Sequence, residues 1–479
     1  MSDFGILAFG AYVPITRLQR SAIHATNGWF AGGLGGLAKG EKAVANWDED
    51  SVTMAVEAAR DALDGVDRAS VERVVIASTT LPFADRQNAG IVKEALNLPD
   101  AVGAMDVTGS QRAATSALLV ALEGRTTTLV CAAEIATPRP ASEREMTAGD
   151  AAAALLIGGG TPIAKLVASQ SVTVDFVDHF REAGAAHDYD WEARWVRDEG
   201  FARIMTPAIA ALLAKAGIEG DAIDHFIVPV AVKGVPEMLA KKAGVSDAAV
   251  ADGLTATLGH AGAAHALVML AAALEGAKPG ARILLASFGQ GCDLLLFEVT
   301  DAIGSVKSRL GVSGWLARRI ESANYAKYLF HRGLLHLDRG MRAEHDSKTA
   351  LTALWRNRKA VLGLVGGRCT KTGTVQFPKS EVSVNANDYA VGTQEDYPLA
   401  EVSAKVLTWT ADALTYSSDP PSYYGNIDFD GGGRMMTEFT DFTGGALDVG
   451  ADLRMMFRIK AYDENRRFRR YFWKAAPAF

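Results

Sequence analysis

The chain has 479 residues, 49% of them apolar and 22% charged, and its 49 basic against 56 acidic side chains leave a formal charge of −7. That length and apolar content predict more than one hydrophobic core and exclude a disordered or fibrous chain, because 47 glycines follow no triplet period and prolines number only 15. The mild acidity provides no general footprint for nucleic acid, and no apolar run reaches the roughly 20 residues of a bilayer span.

The start, MSDFGILAFGAYVP, has no basic stretch before a hydrophobic run and reads as a first strand rather than an export signal. From there to about residue 300, β-branched runs alternate with Ala-rich helical periods. VERVVIAST, TTTLVCAAE and AAAALLIGG form one series, and DHFIVPV and ARILLASFGQGCDLLLFEV a second. The alternation predicts an α/β fold with a buried sheet in two similar halves, residues 1–165 and 166–300. Residues 301–360, with stretches such as SGWLARRIESANYAKYLFHRG, are expected to form a helical connector. From 361 to 479, short strands separated by Gly, Asp, Asn and Pro predict a small β-barrel of OB type. Its RRFRRYFW segment suits either a groove for a phosphate-bearing ligand or a solvated barrel edge. The three cysteines, Cys131, Cys292 and Cys369, are too scattered for a disulfide framework, which is consistent with a cytoplasmic protein.

Several dispersed stretches carry a family likeness. FGAYVP, DEDSVTMAVEAARDAL, DVTGSQRAATSAL, AGDAAAALLIG, VDHFRE around His179 and SFGQGCD occur in the order in which the thiolase superfamily has them. The first 300 residues resemble its hydroxymethylglutaryl-CoA synthase and type III ketoacyl synthase branch. The tail resembles the OB-fold acyl-CoA-associated domains that accompany such enzymes, through Gly367-Arg368-Cys369, Phe377-Pro378 and IDFDGGGR. A zinc ribbon usually precedes that barrel. Here only Cys369 remains of its ligands, so no metal is expected.

The resemblance also shows where the chemistry departs from the family. The nucleophilic cysteine, which the start of a helix activates, maps to Gln111, followed by Arg112. Glutamine forms no thioester, but its amide can donate to an oxyanion. Ser110 is one residue out of place. The family histidine maps to Val230, the asparagine of the Gly-Asn pair to His260, and the synthase glutamate to Thr79. His260 is thus a new titratable group at a catalytic position, or else a loop histidine capping the next helix; His265 suits helix packing, and His179 suits either substrate contact or a local cap. Arg86 and Asp85, in PFADRQ, suit the mouth of the cleft, with Arg86 binding a substrate carboxylate, or form a surface ion pair. Gly289 and Gly291 let the backbone approach a ligand and offer an amide to an oxyanion. Cys292 reads as a packed thiol. Trp29 suits stacking on the adenine of CoA or a hydrophobic lid.

These assignments imply a CoA-using site in which the CoA thiolate itself attacks a β-keto acid or β-ketoacyl thioester. The expected reaction is a retro-Claisen cleavage to an acyl-CoA, with His260 as acid and base and with Gln111 and Gly291 at the oxyanion. Decarboxylation, retro-aldol cleavage, a synthase-like condensation and a non-catalytic scaffold or acyl-CoA-binding partner are the alternatives. The resemblance further implies a homodimer and a possible thiolase-like partner protein, with no nucleic acid or membrane partner.

Overall fold

A computed structural model describes residues 3–306, 309–344, 348–442 and 447–478. The chain divides into two units. The first comprises residues 1–45, 50–90 and 99–328, and the second residues 46–49, 91–98 and 329–479.

The first unit is built on a nine-stranded mixed sheet. From one edge to the other its strands are His225–Ile227, Arg282–Phe288, Gly291–Val299, Ala164–Thr173, Asp3–Tyr12, Ala151–Gly160, Thr128–Glu134, Arg73–Ala77 and Gly103–Val107. The order reflects a repeat. Arg73–Ala77 runs parallel to Thr128–Glu134, which is antiparallel to Ala151–Gly160, which is antiparallel to Asp3–Tyr12. His225–Ile227, Arg282–Phe288, Gly291–Val299 and Ala164–Thr173 follow the same pattern. The first strands of the two series meet at the centre, where Gly5 pairs with Lys165 and Ile6 with Ala164.

The inner strands read as continuous apolar runs because both faces are covered. Every residue of Thr128–Glu134 is buried. Helix Ser51–Ala62 packs on Asp3–Tyr12 and Ala151–Gly160, and helix Thr206–Ala216 on Ala164–Thr173. The former starts where it does because the Asp50 carboxylate accepts from the amides of Val52 and Thr53, while Thr53 Oγ1 accepts from the Asp50 amide. Residues expected to belong to the connector also fold here. Trp315 stands edge-on to Tyr12 at 4.6 Å, and Tyr325 donates its hydroxyl to the buried Glu145.

The second unit contains an antiparallel five-stranded sheet in the order Arg434–Glu438, Ser422–Phe429, Ala404–Asp412, Asp452–Asp463, Phe468–Pro477. A three-stranded sheet accompanies it: Val375–Gln376, Val365–Cys369 and Gln394–Pro398. The end strands of the larger sheet touch through an isolated bridge from Phe439 to Ala475 and a hydrogen bond from Thr437 Oγ1 to the Trp473 carbonyl. Among the described residues no continuous ladder joins them, so a closed barrel is not shown. Trp473 fills its core, with its indole N–H donating to the Leu362 carbonyl at 2.7 Å. The unit also buries charge. Lys474 Nζ pairs with Asp48 at 2.9 Å, and Arg458 pairs with Asp441 at 2.5 Å and Glu49 at 3.3 Å. Among the described residues no helix is long and apolar enough to cross a membrane, and no group of three or more His, Cys, Asp or Glu side chains is arranged to hold a metal ion.

Candidate active site

A cleft with about 370 Å³ of unfilled space, part of it open to solvent, lies in the first unit. Its lining brings together Gln111, at the start of helix Ala113–Glu123, Thr79, after strand Arg73–Ala77, and His260, on the loop before helix His265–Gly276. Glu134, Arg144 and Asp188, none of them singled out in the sequence, complete its polar wall.

Glu134 ends strand Thr128–Glu134 and is buried. Its carboxyl accepts from Thr79 Oγ1 at 2.6 Å, the Thr79 amide at 2.9 Å and Ser78 Oγ at 3.3 Å. Burial pushes its pKa up, and the Thr79 bonds oppose that shift. Thr79 is therefore bonded to a glutamate from the neighbouring strand. Gly262 makes the arrangement possible. It sits in the left-handed region at φ +48°, and a Cβ there would stand 2.7 Å from Glu134 Cγ and 3.2 Å from Gln111 Oε1. Glu134 and Gln111 thus face the same backbone position, and Gln111 Oε1 is buried with no hydrogen-bond partner.

His260 is held by its backbone, which bonds to Thr147 and Gly149. The Gly262 amide donates to Nδ1 at 3.2 Å, which leaves the proton on Nε2, 3.3 Å from the Pro229 carbonyl. Burial, then the neighbouring His265, lowers the His260 pKa well below its ordinary value, so the ring is neutral. His265 lies 4.5 Å away ring to ring; its pKa falls to about 4 through burial, and it packs as the sequence suggested. At the cleft wall Arg144 pairs with Asp188 and Asp190, and Arg181 bonds to Asp188, Thr137 and the Thr79 carbonyl.

The remaining sequence-named residues stand outside this lining. Arg112 turns away to Asp293. Gly289 packs against the start of the helix, where its Cβ would stand 3.3 Å from the Gln111 amide nitrogen, whereas Gly291 pairs with Thr173 in the sheet. The Arg86 guanidinium lies 4.6 Å from the Phe83 ring centroid, and Asp85 is exposed. Trp29 is 87% exposed beside Phe30. His179 pairs with Asp178, and Val230 packs on the apolar core of the second half. Neither Cys131 nor Cys292 lines the cleft, and burial pushes both thiols up to about 12. The chemistry on offer is proton transfer at a buried carboxyl, with hydrogen bonding from an amide and a neutral imidazole.

Residues 213–295 match the family model of 3-oxoacyl-[acyl-carrier-protein] synthase III, C-terminal. The chain is 34% identical over 345 residues to a hydroxymethylglutaryl-CoA synthase of Aeropyrum pernix, covering 70% of this chain and 95% of that protein. It is 30% identical over 346 residues to the enzyme of the same name from Methanosarcina mazei, covering 70% and 99%. Among solved structures, MvaS in complex with 3-hydroxy-3-methylglutaryl coenzyme A superposes with a TM-score of 0.61 at 20% identity, over 70% of this chain and 93% of that one. A 3-oxoacyl-[acyl-carrier-protein] synthase III from Aquifex aeolicus gives 0.54 at 19% identity, over 62% and 99%.

Proposed function

Starting from a chain that belongs to the hydroxymethylglutaryl-CoA synthase family, and so uses acyl-CoA to make or break a carbon–carbon bond, we propose that it does so without an acyl-enzyme, through proton transfer at Glu134. In the forward direction the ionised carboxyl takes a proton from the carbon next to a CoA thioester. The Gln111 amide and the Nε2–H of His260 stabilise the enolate oxygen. The enolate carbon adds to the carbonyl of a second substrate, and the resulting alkoxide takes the proton back from Glu134. The thioester remains intact throughout, so no enzymic thiol is required. The reverse is an aldol-type cleavage.

The observation that supports this reading is the buried Glu134 carboxyl facing Gln111 across Gly262, where no thiol is present. The retro-Claisen reading suits the same cleft. Its base would then be Glu134 rather than His260, because the one unprotonated ring nitrogen of His260, Nδ1, already accepts from the Gly262 amide. An OB-type fold for residues 361–479, a homodimer, a thiolase-like partner and a cytoplasmic location belong to the same reading, as does a role for Arg86 or Trp29 in holding substrate.

The test is incubation of the purified protein in D2O with acetyl-CoA, followed by mass spectrometry. Deuterium entering the acetyl group, and a larger acyl-CoA on adding a ketone such as acetoacetyl-CoA, are expected. Acyl-CoA formed only from a β-keto acid plus free CoA would favour retro-Claisen cleavage. No exchange and no turnover in either arm would overturn catalysis at this site.

A further inference from the structure

Arg112 follows the residue that stands in the nucleophile position, yet its guanidinium spans three acceptors away from the cleft. Nε donates to the Gly289 carbonyl at 2.9 Å, Nη1 to Asp293 Oδ1 at 2.8 Å and Nη2 to Thr173 Oγ1 at 2.8 Å. Asp293 is buried. Besides Arg112 it accepts from Ser116 Oγ at 2.7 Å, Ser171 Oγ at 2.9 Å and Thr115 Oγ1 at 3.1 Å. Held from its strand against the first turn of helix Ala113–Glu123, this carboxylate complements the positive end of the helix dipole. Ser110 Oγ adds a bond to the same Gly289 carbonyl at 3.1 Å. Residues on both sides of Gln111 are therefore fastened to the turn joining strands Arg282–Phe288 and Gly291–Val299, while Gln111 Oε1 has no anchor of its own.

We infer that the Arg112–Asp293 pair is a positioning device: it clamps the start of helix Ala113–Glu123 to the Gly289 turn and so sets where the Gln111 amide stands relative to Glu134. The inference rests on the proposed use of this cleft. Arg112 is a positioning residue, because nothing it touches lines the cleft. Lysine cannot replace it, since a single ammonium does not reach three acceptors arranged around a planar fork.

The test reads position 111 without requiring turnover. In full-length protein carrying Gln111→Cys, alkylation by iodoacetamide is followed against pH by peptide mass spectrometry, which counts Cys131, Cys292 and Cys369 separately. Adding Arg112→Lys is expected to slow alkylation at residue 111 by about tenfold and to move its pH midpoint upward, because the helix-start amides no longer face the sulfur. Alkylation of Cys369 should not change. If Arg112→Lys does not fold, Thr173→Val removes one arm of the clamp and is expected to shift the same midpoint by a smaller amount. An unchanged rate and midpoint in a folded variant overturns the clamp. A changed thiol in the variant, together with no turnover by the parent chain, overturns the proposed reaction and leaves the clamp standing.

Discussion

Glu134→Gln separates proton transfer from packing. The two side chains have the same shape, and the carbonyl oxygen of the substituted side chain still accepts from the Thr79 amide, which lies 2.9 Å from the carboxyl in the parent chain. The new NH2 group meets Thr79 Oγ1, and that hydroxyl can turn to accept. Stability should therefore change by only about 1 kcal/mol near the pH where Glu134 is neutral. The proton acceptor, however, is lost. A positioned acid–base group contributes about 100- to 10,000-fold, or roughly 3–5 kcal/mol of barrier, so deuterium exchange into acetyl-CoA should fall by that factor. The pH dependence gives a second reading. Burial raises the folded-state pKa of Glu134 above its ordinary 4.5. The stability this confers is fully present below 4.5 and is lost as pH rises through the raised value. Glutamine has no such loss. The melting temperature of Glu134→Gln relative to the parent chain should therefore increase as pH rises above 4.5, while parent activity rises with ionisation of the same group. Exchange at the parent rate in Glu134→Gln, or a melting difference independent of pH, would refute the assignment.

Other expectations follow from the same geometry. Gly262→Ala places a methyl 2.7 Å from Glu134 Cγ at a left-handed position; it should cost about 1–3 kcal/mol in denaturant melts and lower turnover, since the methyl displaces Glu134. His260→Asn supplies another neutral donor and should retain more activity than His260→Ala, and its steady-state pH profile should keep the shape of the parent chain's; a break near the ordinary 6.5 that His260→Asn removes would contradict the neutral ring. Gln111→Cys should acquire a covalent acetyl group from acetyl-CoA, visible as a mass increase on the peptide containing residue 111. In the second unit, burial raises Glu49 to about 7. Its contribution to stability is present below 4.5 and lost as pH rises through about 7, so Glu49→Gln should melt higher than the parent chain only toward the alkaline side.

The α/β pattern of the first 300 residues was legible because its inner strands are apolar on both faces and its helices Ala-rich. The strands TTTLVCAAE and AAAALLIGG, for example, need nothing beyond burial to be recognised. Gln111, Thr79 and His260 were legible as a group only through family likeness, and the fold brings them to one cleft. Glu134 left a fainter signal: an acidic residue at the carboxyl end of a buried strand, where sites in α/β sheets concentrate. Arg144, Asp188 and Arg181 come from short or irregular segments, where no periodicity indicates which way a side chain turns. The reorientation of Arg112 depends on Asp293, 181 residues away in sequence, a pairing that local pattern cannot reveal. The tail's strands were readable from turn residues, but whether its sheet closes depends on how two end strands meet, which is a matter of register between distant segments.

The composition of the second unit constrains how this chain is made. Two short stretches from early in the sequence, 46–49 and 91–98, belong to a unit whose remainder begins at residue 329. During synthesis from the amino end, those stretches leave the ribosome long before their companions exist, so the C-terminal unit is completed by segments made well ahead of it. The contacts that those two early stretches make with the rest of the unit are of high sequence separation, which makes its completion a slow closing step. A gene fragment starting at 329 would lack Asp48 and Glu49, two of the carboxylates facing Lys474 and Arg458. Detaching this tail as a separate polypeptide would therefore first require an acid to replace them.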